Sequence, residues 1–189
     1  MLRLKEKYQK EVIPVLEKEF HYHNALAVPR VEKVIVNTSF GKRLGGEKGD
    51  KLKKAMDKIE QDLMLITGQK PSLKKAKKSI AGFHLREGSP VGYQVTLRGR
   101  RMYDFLERII YLTLPQMRDF RGVNPQSLDR QGNLTLGFDE QLIFPEMSAE
   151  EERKAFGLAI TIVTTAKKQE EAKRLLALLG LPFKKEKKQ

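Results

Sequence analysis

The chain has 189 residues, 40% of them hydrophobic, no cysteine and a net charge of +13 at pH 7. The apolar share is enough for a packed core and excludes a disordered chain. Disulfides and thiol chemistry are excluded outright, and no apolar run nears the ~18 residues of a membrane-spanning helix.

In chain order, Leu4 to Phe20 reads as a helix, with Val12, Val15, Leu16 and Phe20 at helical spacing and Pro14 as a kink or boundary. Val31 to Asn37 is rich in β-branched residues and reads as a strand. Gly41 to Gly49 is a glycine-rich basic loop. Asp50 then caps a helix with Leu52, Ala55, Met56, Ile59, Leu63 and Ile66 inward and Gly68 as its stop. Lys70 to Leu73 reads as a short strand. Val91 to Arg98 alternates, with Val91, Tyr93, Val95 and Leu97 on one face and Gly92, Gln94, Thr96 and Arg98 on the other, which predicts a half-buried strand.

Arg100 to Leu112 predicts an amphipathic helix with Met102, Phe105, Leu106, Ile109 and Ile110 inward, closed by Pro115. Phe120 to Asn133 is a long loop rich in Gly, Asn and Pro. Leu134 to Phe144 gives one or two short strands, and Leu158 to Thr164 another. Lys168 to Leu179 is a final helix with Ala172, Leu175, Leu176 and Leu179 inward, stopped by Gly180. Residues 184–189 read as a basic, mobile tail. Strands alternating with helices, and no linker, predict a single α+β domain over 1–183 with helices on one face of a sheet.

Charge sorts along this frame. Residues 70–101 hold nine basic side chains and one acidic, 102–152 hold four and ten, and 153–189 hold ten and three. A strongly positive face is expected, suited to a nucleic acid or an anionic membrane, and the 102–152 region faces something else. Met1 to Lys10 is charged throughout, unlike a secretory signal. Membrane binding needs a bulky apolar helix face left exposed, and the helices here spend theirs on the core.

Motifs for catalysis are missing. Gly41 to Gly49 lacks the Gly-Lys-Ser/Thr ending of a phosphate-binding loop. His21, His23 and His84 have no metal-ligand spacing, and Ser72-x-x-Lys75 stands without companion motifs. No nucleophile, base and orienter assemble, so no catalytic residue, cofactor or metal is expected. An RNA-acting enzyme that uses the basic surface to hold substrate, or a general RNA-binding protein with that surface, is the competing reading.

Lys74 to Pro90 is the densest signal. It carries Lys74, Lys75, Lys77, Lys78, Ser79, Phe83, His84 and Arg86 around glycines. Lysines neutralise phosphates, an aromatic can stack on a base, and glycines let a backbone come close. Phe83 either stacks or tucks under the loop into the core. The loop leads into a strand whose outer face shows Gln94, Thr96 and Arg98, with Lys33 and Asn37 at matching parity on the first strand. Short polar donors of this kind suit RNA backbone, 2′-hydroxyls and bases. Asn37 could equally cap a strand end, and Thr96 could be there for β-propensity alone.

Several stretches, in order, carry a resemblance: Val28-Pro-Arg-Val-Glu-Lys-Val34, Ile66-Thr-Gly-Gln-Lys-Pro71, Ala76-Lys-Lys-Ser-Ile80, Arg118-Asp-Phe-Arg-Gly122 with Asn124-Pro125, Glu140-Gln-Leu-Ile-Phe-Pro-Glu146 and Val163-Thr-Thr-Ala166. From about Tyr8 to Phe183 the chain resembles the bacterial large-subunit ribosomal protein five family, which binds 5S rRNA. The resemblance implies an antiparallel sheet with helices behind it, and a place in the central protuberance beside 5S and 23S rRNA. It implies that Asn37, Gln69 and Thr96 meet 5S rRNA, and that the Lys74-to-Pro90 loop approaches the elbow of P-site tRNA. It further implies that the loop bearing Arg118, Arg121, Asn124, Asp129 and Arg130 reaches a small-subunit head protein across an intersubunit bridge. In that loop the chain has Leu128-Asp-Arg-Gln-Gly-Asn-Leu134 where the family usually has Phe-Asp-Gly-Arg-Gly-Asn-Tyr.

Overall fold

The computed structural model describes residues 3–40, 50–83, 85–117, 120–147 and 155–184, apart from the Phe83 side chain. Five strands, β1 (Val31–Ser39), β2 (Ser72–Lys75), β3 (Pro90–Leu97), β4 (Leu134–Phe138) and β5 (Leu158–Thr164), form one sheet in the order β2-β3-β1-β5-β4. Its direction is read from the bonds. The Thr165 amide donates to the Arg30 carbonyl at 2.9 Å and Thr38 Oγ1 to the Gly157 carbonyl at 2.9 Å, so β1 and β5 run antiparallel. β2 pairs antiparallel with β3. The expected α+β fold with an antiparallel sheet is what the chain adopts.

Two compact units divide the chain: Met1–Val34 with Leu97–Leu136 and Ile160–Gln189, and Ile35–Thr96 with Gly137–Ala159. The first holds the helical stretches Leu4–Phe20, Gly99–Gln116 and Gln169–Leu179. Two prolines ride inside them. The residues before each, Tyr8–Val12 and Ile109–Thr113, widen into π-helical turns, with the Ile13 amide on the Tyr8 carbonyl and the Leu114 amide on the Ile109 carbonyl. Proline lacks an amide and its ring clashes with the carbonyl four residues back, and the wider turn relieves both. Pro115 therefore does not close its helix. Gly99–Arg108 continues through the π turn to Leu114–Gln116.

The faces that the spacing assigns to this core are buried: Met102, Phe105, Leu106, Ile109 and Ile110 on one helix, Ala172, Leu175, Leu176 and Leu179 on the helix Gln169–Leu179. Lys7 Nζ donates to the Leu179 carbonyl at 3.4 Å, a cation at a helix C-terminus, and Gly180 closes that helix at φ 110°. Burial of Tyr8 pushes its hydroxyl up to about 12 and the group donates to the Pro29 carbonyl at 3.1 Å. The Phe120-to-Asn133 loop is pinned here, Val123 bridging to Phe183 and Leu128 to Leu134.

In the second unit the helix Asp50–Thr67 buries Leu63 and Ile66 fully, while Leu52, Ala55, Met56 and Ile59 are only half-buried. Thr67 Oγ1 donates to the Leu63 carbonyl at 2.6 Å and Gly68 turns at φ 66°. The connection then runs through Lys70 and Pro71, so β2 begins at Ser72, two residues later than expected. Gly92, expected on the outer face, is buried because β1 and β3 approach there and a Cβ would run into the Thr38 carbonyl. Val91 is correspondingly half-exposed. After β4 the described chain forms no second strand before Met147. Gln141, wholly buried, starts a 3-10 turn to Ile143 and its Oε1 accepts the Phe156 amide at 2.6 Å. The Gly41-to-Gly49 loop and residues 185–189 of the tail lie outside the described residues.

Candidate nucleic-acid interface

β-strands send successive side chains to opposite faces, and burial shows which face is which. In the second unit Val36 and Thr38 on β1, and Tyr93 and Val95 on β3, are buried, while Ile35, Asn37, Gln94 and Thr96 between them are half-buried. The Tyr93 face is covered by the Asp50–Thr67 helix. Tyr93 Oη donates to Glu60 at 3.2 Å, and burial together with that carboxylate pushes its hydroxyl up to about 12. Phe40 meets the Tyr93 ring edge-on at 5.3 Å. Asn37, Gln94 and Thr96 thus lie on the face turned away from the helix, with Ile35 an apolar member that sequence reading does not single out. β1 runs two residues past Asn37, which removes its strand-end alternative.

Gln69 joins this group by a direct bond. Its Nε2 donates to the Thr96 carbonyl at 3.2 Å, and its own amide and carbonyl both meet Thr67 Oγ1. Nearby, Lys70 pairs with Glu60 at 3.5 Å.

In the first unit, Lys33 and Arg98 meet a residue that sequence reading passes over. Glu32 Oε1 stands 3.3 Å from Arg98 and 3.6 Å from Lys33. The Arg98 hydrogen bond, then the Lys33 charge, hold the Glu32 carboxyl below its ordinary value. An acid directly before Lys33 is visible in the sequence, but nothing there shows Arg98 beside it.

The basic segment has more order than a loop. Lys74 and Lys75 end β2. Beyond them the Ala76 amide bonds the Ser89 carbonyl at 2.8 Å, Ile80 and Leu85 exchange bonds of 3.0 and 3.2 Å, and Ser79 Oγ accepts the Glu87 amide at 2.9 Å. This continues the β2–β3 hairpin and holds Lys77, Lys78 and Arg86 exposed. Among the described residues none of Lys74, Lys75, Lys77, Lys78 and Arg86 forms an ion pair. The His84 residue and the Phe83 side chain lie outside the described residues.

In the 120–133 loop Arg121 and Arg130 are exposed, Asn124 Oδ1 caps the Pro125–Ser127 turn by accepting the Gln126 amide at 3.1 Å, and Arg118 lies outside the described residues. Asp129 works internally. Its carboxylate accepts the Asn133 amide at 2.7 Å, the Gln131 amide at 2.9 Å and Asn133 Nδ2 at 2.8 Å. Partial desolvation pulls the Asp129 carboxyl upward, but these bonds and that of Gly132 outweigh it and hold the group below its ordinary value. Gly132, at φ 78°, has Ala172 Cβ 2.9 Å from where a Cβ would stand, so the turn needs glycine.

The family model described as "Ribosomal protein L5" matches residues 24–86, and the model of that ribosomal family's C-terminus matches residues 90–183. The "Large ribosomal subunit protein uL5" of Kosmotoga olearia is 53% identical over 181 residues, 96% of either chain. Proteins of that name from Dictyoglomus turgidum and Dictyoglomus thermophilum are 53% and 52% identical over 182 residues, covering 96% of this chain and 98% of theirs.

Proposed function

The chain belongs to the ribosomal protein L5 family, and from that membership we propose that it is a non-catalytic RNA scaffold of the large ribosomal subunit, cytoplasmic and ribosome-bound, gripping 5S rRNA in the central protuberance. One observation supports the grip most: Asn37, Gln94 and Thr96 occupy the sheet face turned away from the helix that covers Tyr93. Basic groups supply affinity by releasing counterions, and the short donors set register on the RNA. Gln69 contributes through the bond that fixes it to Thr96. Lys33 and Arg98, held by Glu32, add positive charge.

The exposed hairpin extension with Lys77, Lys78 and Arg86 is the part that reaches P-site tRNA. A hydrogen-bonded basic finger with its charges free of acidic partners among the described residues suits an RNA that arrives and leaves, because no internal ion pair must break at each encounter. The 120–133 loop, held by Asp129 and presenting Arg121 and Arg130, is the contact to a small-subunit head protein across the bridge, and 23S rRNA completes the set of partners.

The test is recovery of RNA on a tagged chain purified from cells at moderate salt. Enrichment of 5S rRNA over tRNA and other RNAs of similar length is the expected result. A bound pool that mirrors the cell's total RNA contradicts it.

A further inference from the structure

We propose that the RNA-facing strip continues onto the edge strand β2, where Lys74 holds a phosphate of the RNA backbone and Ser72 bonds a sugar or phosphate oxygen beside Gln94. This rests on the 5S rRNA reading above and extends it to two residues that the sequence places elsewhere or not at all. By sequence alone Lys74 groups with the tRNA-facing loop. Strand pairing moves it.

The pairing is direct. Ser72 stands opposite Gln94, Leu73 opposite Tyr93 and Lys74 opposite Gly92. Residues opposed across an antiparallel pair share a face and lie ~4.5–5.5 Å apart. Tyr93 is buried under the Asp50–Thr67 helix, so Leu73 points that way, and Ser72 and Lys74 share the face of Gln94. Both are exposed. Gly92 offers no side chain opposite Lys74, which leaves its ammonium without a cross-strand neighbour. No described residue pairs with it as an ion. The face therefore carries an ammonium and a hydroxyl next to the amide of Gln94, the donor set that fits a phosphodiester backbone. The strand pairing is regular from Ser72 to Lys74 and shifts only between Lys74 and Lys75, so the facing of Lys74 is set inside the regular part.

A lysine on an edge strand has a duller use, which is to discourage pairing with another chain. The two uses separate in one experiment. The full chain and its Lys74→Gln, Ser72→Ala and Lys77→Gln variants are titrated with 5S rRNA across a salt series, with an unrelated RNA as control and light scattering as a check on self-association. Losing one phosphate contact weakens binding about five- to eightfold near 0.1 M salt and reduces the slope of log affinity against log salt by roughly 0.7–0.9. Lys74→Gln is expected to show both changes. Ser72→Ala is expected to weaken binding with the slope unchanged, and Lys77→Gln to match the parent. Lys74→Gln binding like the parent, with or without added self-association, overturns the proposal, as does an equal loss in Lys77→Gln. A parent chain that binds 5S rRNA no better than the unrelated RNA overturns the reading beneath it as well. Exposure of both side chains means that an unchanged melting temperature accompanies the expected result.

Discussion

The side-chain amide of Gln69 donates to the main-chain carbonyl of Thr96 across 3.2 Å, tying the turn after one helix to the end of β3. Two residues that the resemblance assigns separately to 5S rRNA are thus one unit. Thr96 belongs to the outer sheet face, and Gln69 is fixed against its backbone. Gln69→Ala should cost about 0.5–1.5 kcal/mol of stability, the worth of one hydrogen bond, and weaken 5S rRNA binding too. Thermal melting and a gel shift on the same variant check both. Loss of binding without loss of stability would make Gln69 a contact residue alone.

Asn37 lies within β1, two residues before its end, on the face away from the helix, so its side chain has no turn to cap. Asn37→Ala should weaken 5S rRNA binding by about 1–2 kcal/mol, one or two hydrogen bonds to RNA, and leave the melting temperature nearly unchanged. Calorimetric titration measures it.

Lys77 and Lys78 stand on the hairpin extension, away from the strand residues of the face. Lys77→Ala and Lys78→Ala should spare 5S rRNA binding while lowering tRNA binding by ribosomes that carry the variant. Filter binding of P-site tRNA to reconstituted large subunits reads the second effect. Collapse of 5S binding in either variant would show that the surface is not divided this way.

Asp129 gives a pH dependence. Its carboxyl is held below the ordinary value of 3.8, so its share of stability is complete above that value and is lost as pH falls through the lower folded value. Asp129→Ala should melt below the parent at neutral pH, and the gap should close in strong acid. Melting curves from pH 7 to 2 test this, and a gap that persists at the acid end would mean that the carboxylate's bonds do not hold the loop.

Much of this is legible in the sequence, and the failures have physical causes. β5 has its expected ends because Leu158 to Thr164 alternates without a break, and the buried face of Gln169–Leu179 follows from helical spacing. Pro115 misleads because a proline ends a regular helix, and the π turn that accommodates it leaves no mark in composition. The start of β2 misleads because Lys70 and Pro71 look extended either way, and only the bonds of Thr67 and Gln69 show that the turn runs on. On the sheet, parity finds Asn37, Gln94 and Thr96 on the face away from the helix. It cannot find Glu32 beside Arg98, the inward engagement of Asp129 or the facing of Lys74, since each depends on which strand or turn lies alongside.

Selective capture of 5S rRNA by the sheet face is tested by the affinity of the untagged chain for 5S rRNA, tRNA and an unrelated RNA across a salt series. 5S rRNA should bind tightest at every salt, with an affinity that falls steeply with salt as counterions are released. Equal affinity for all three RNAs would contradict it and leave only a basic surface.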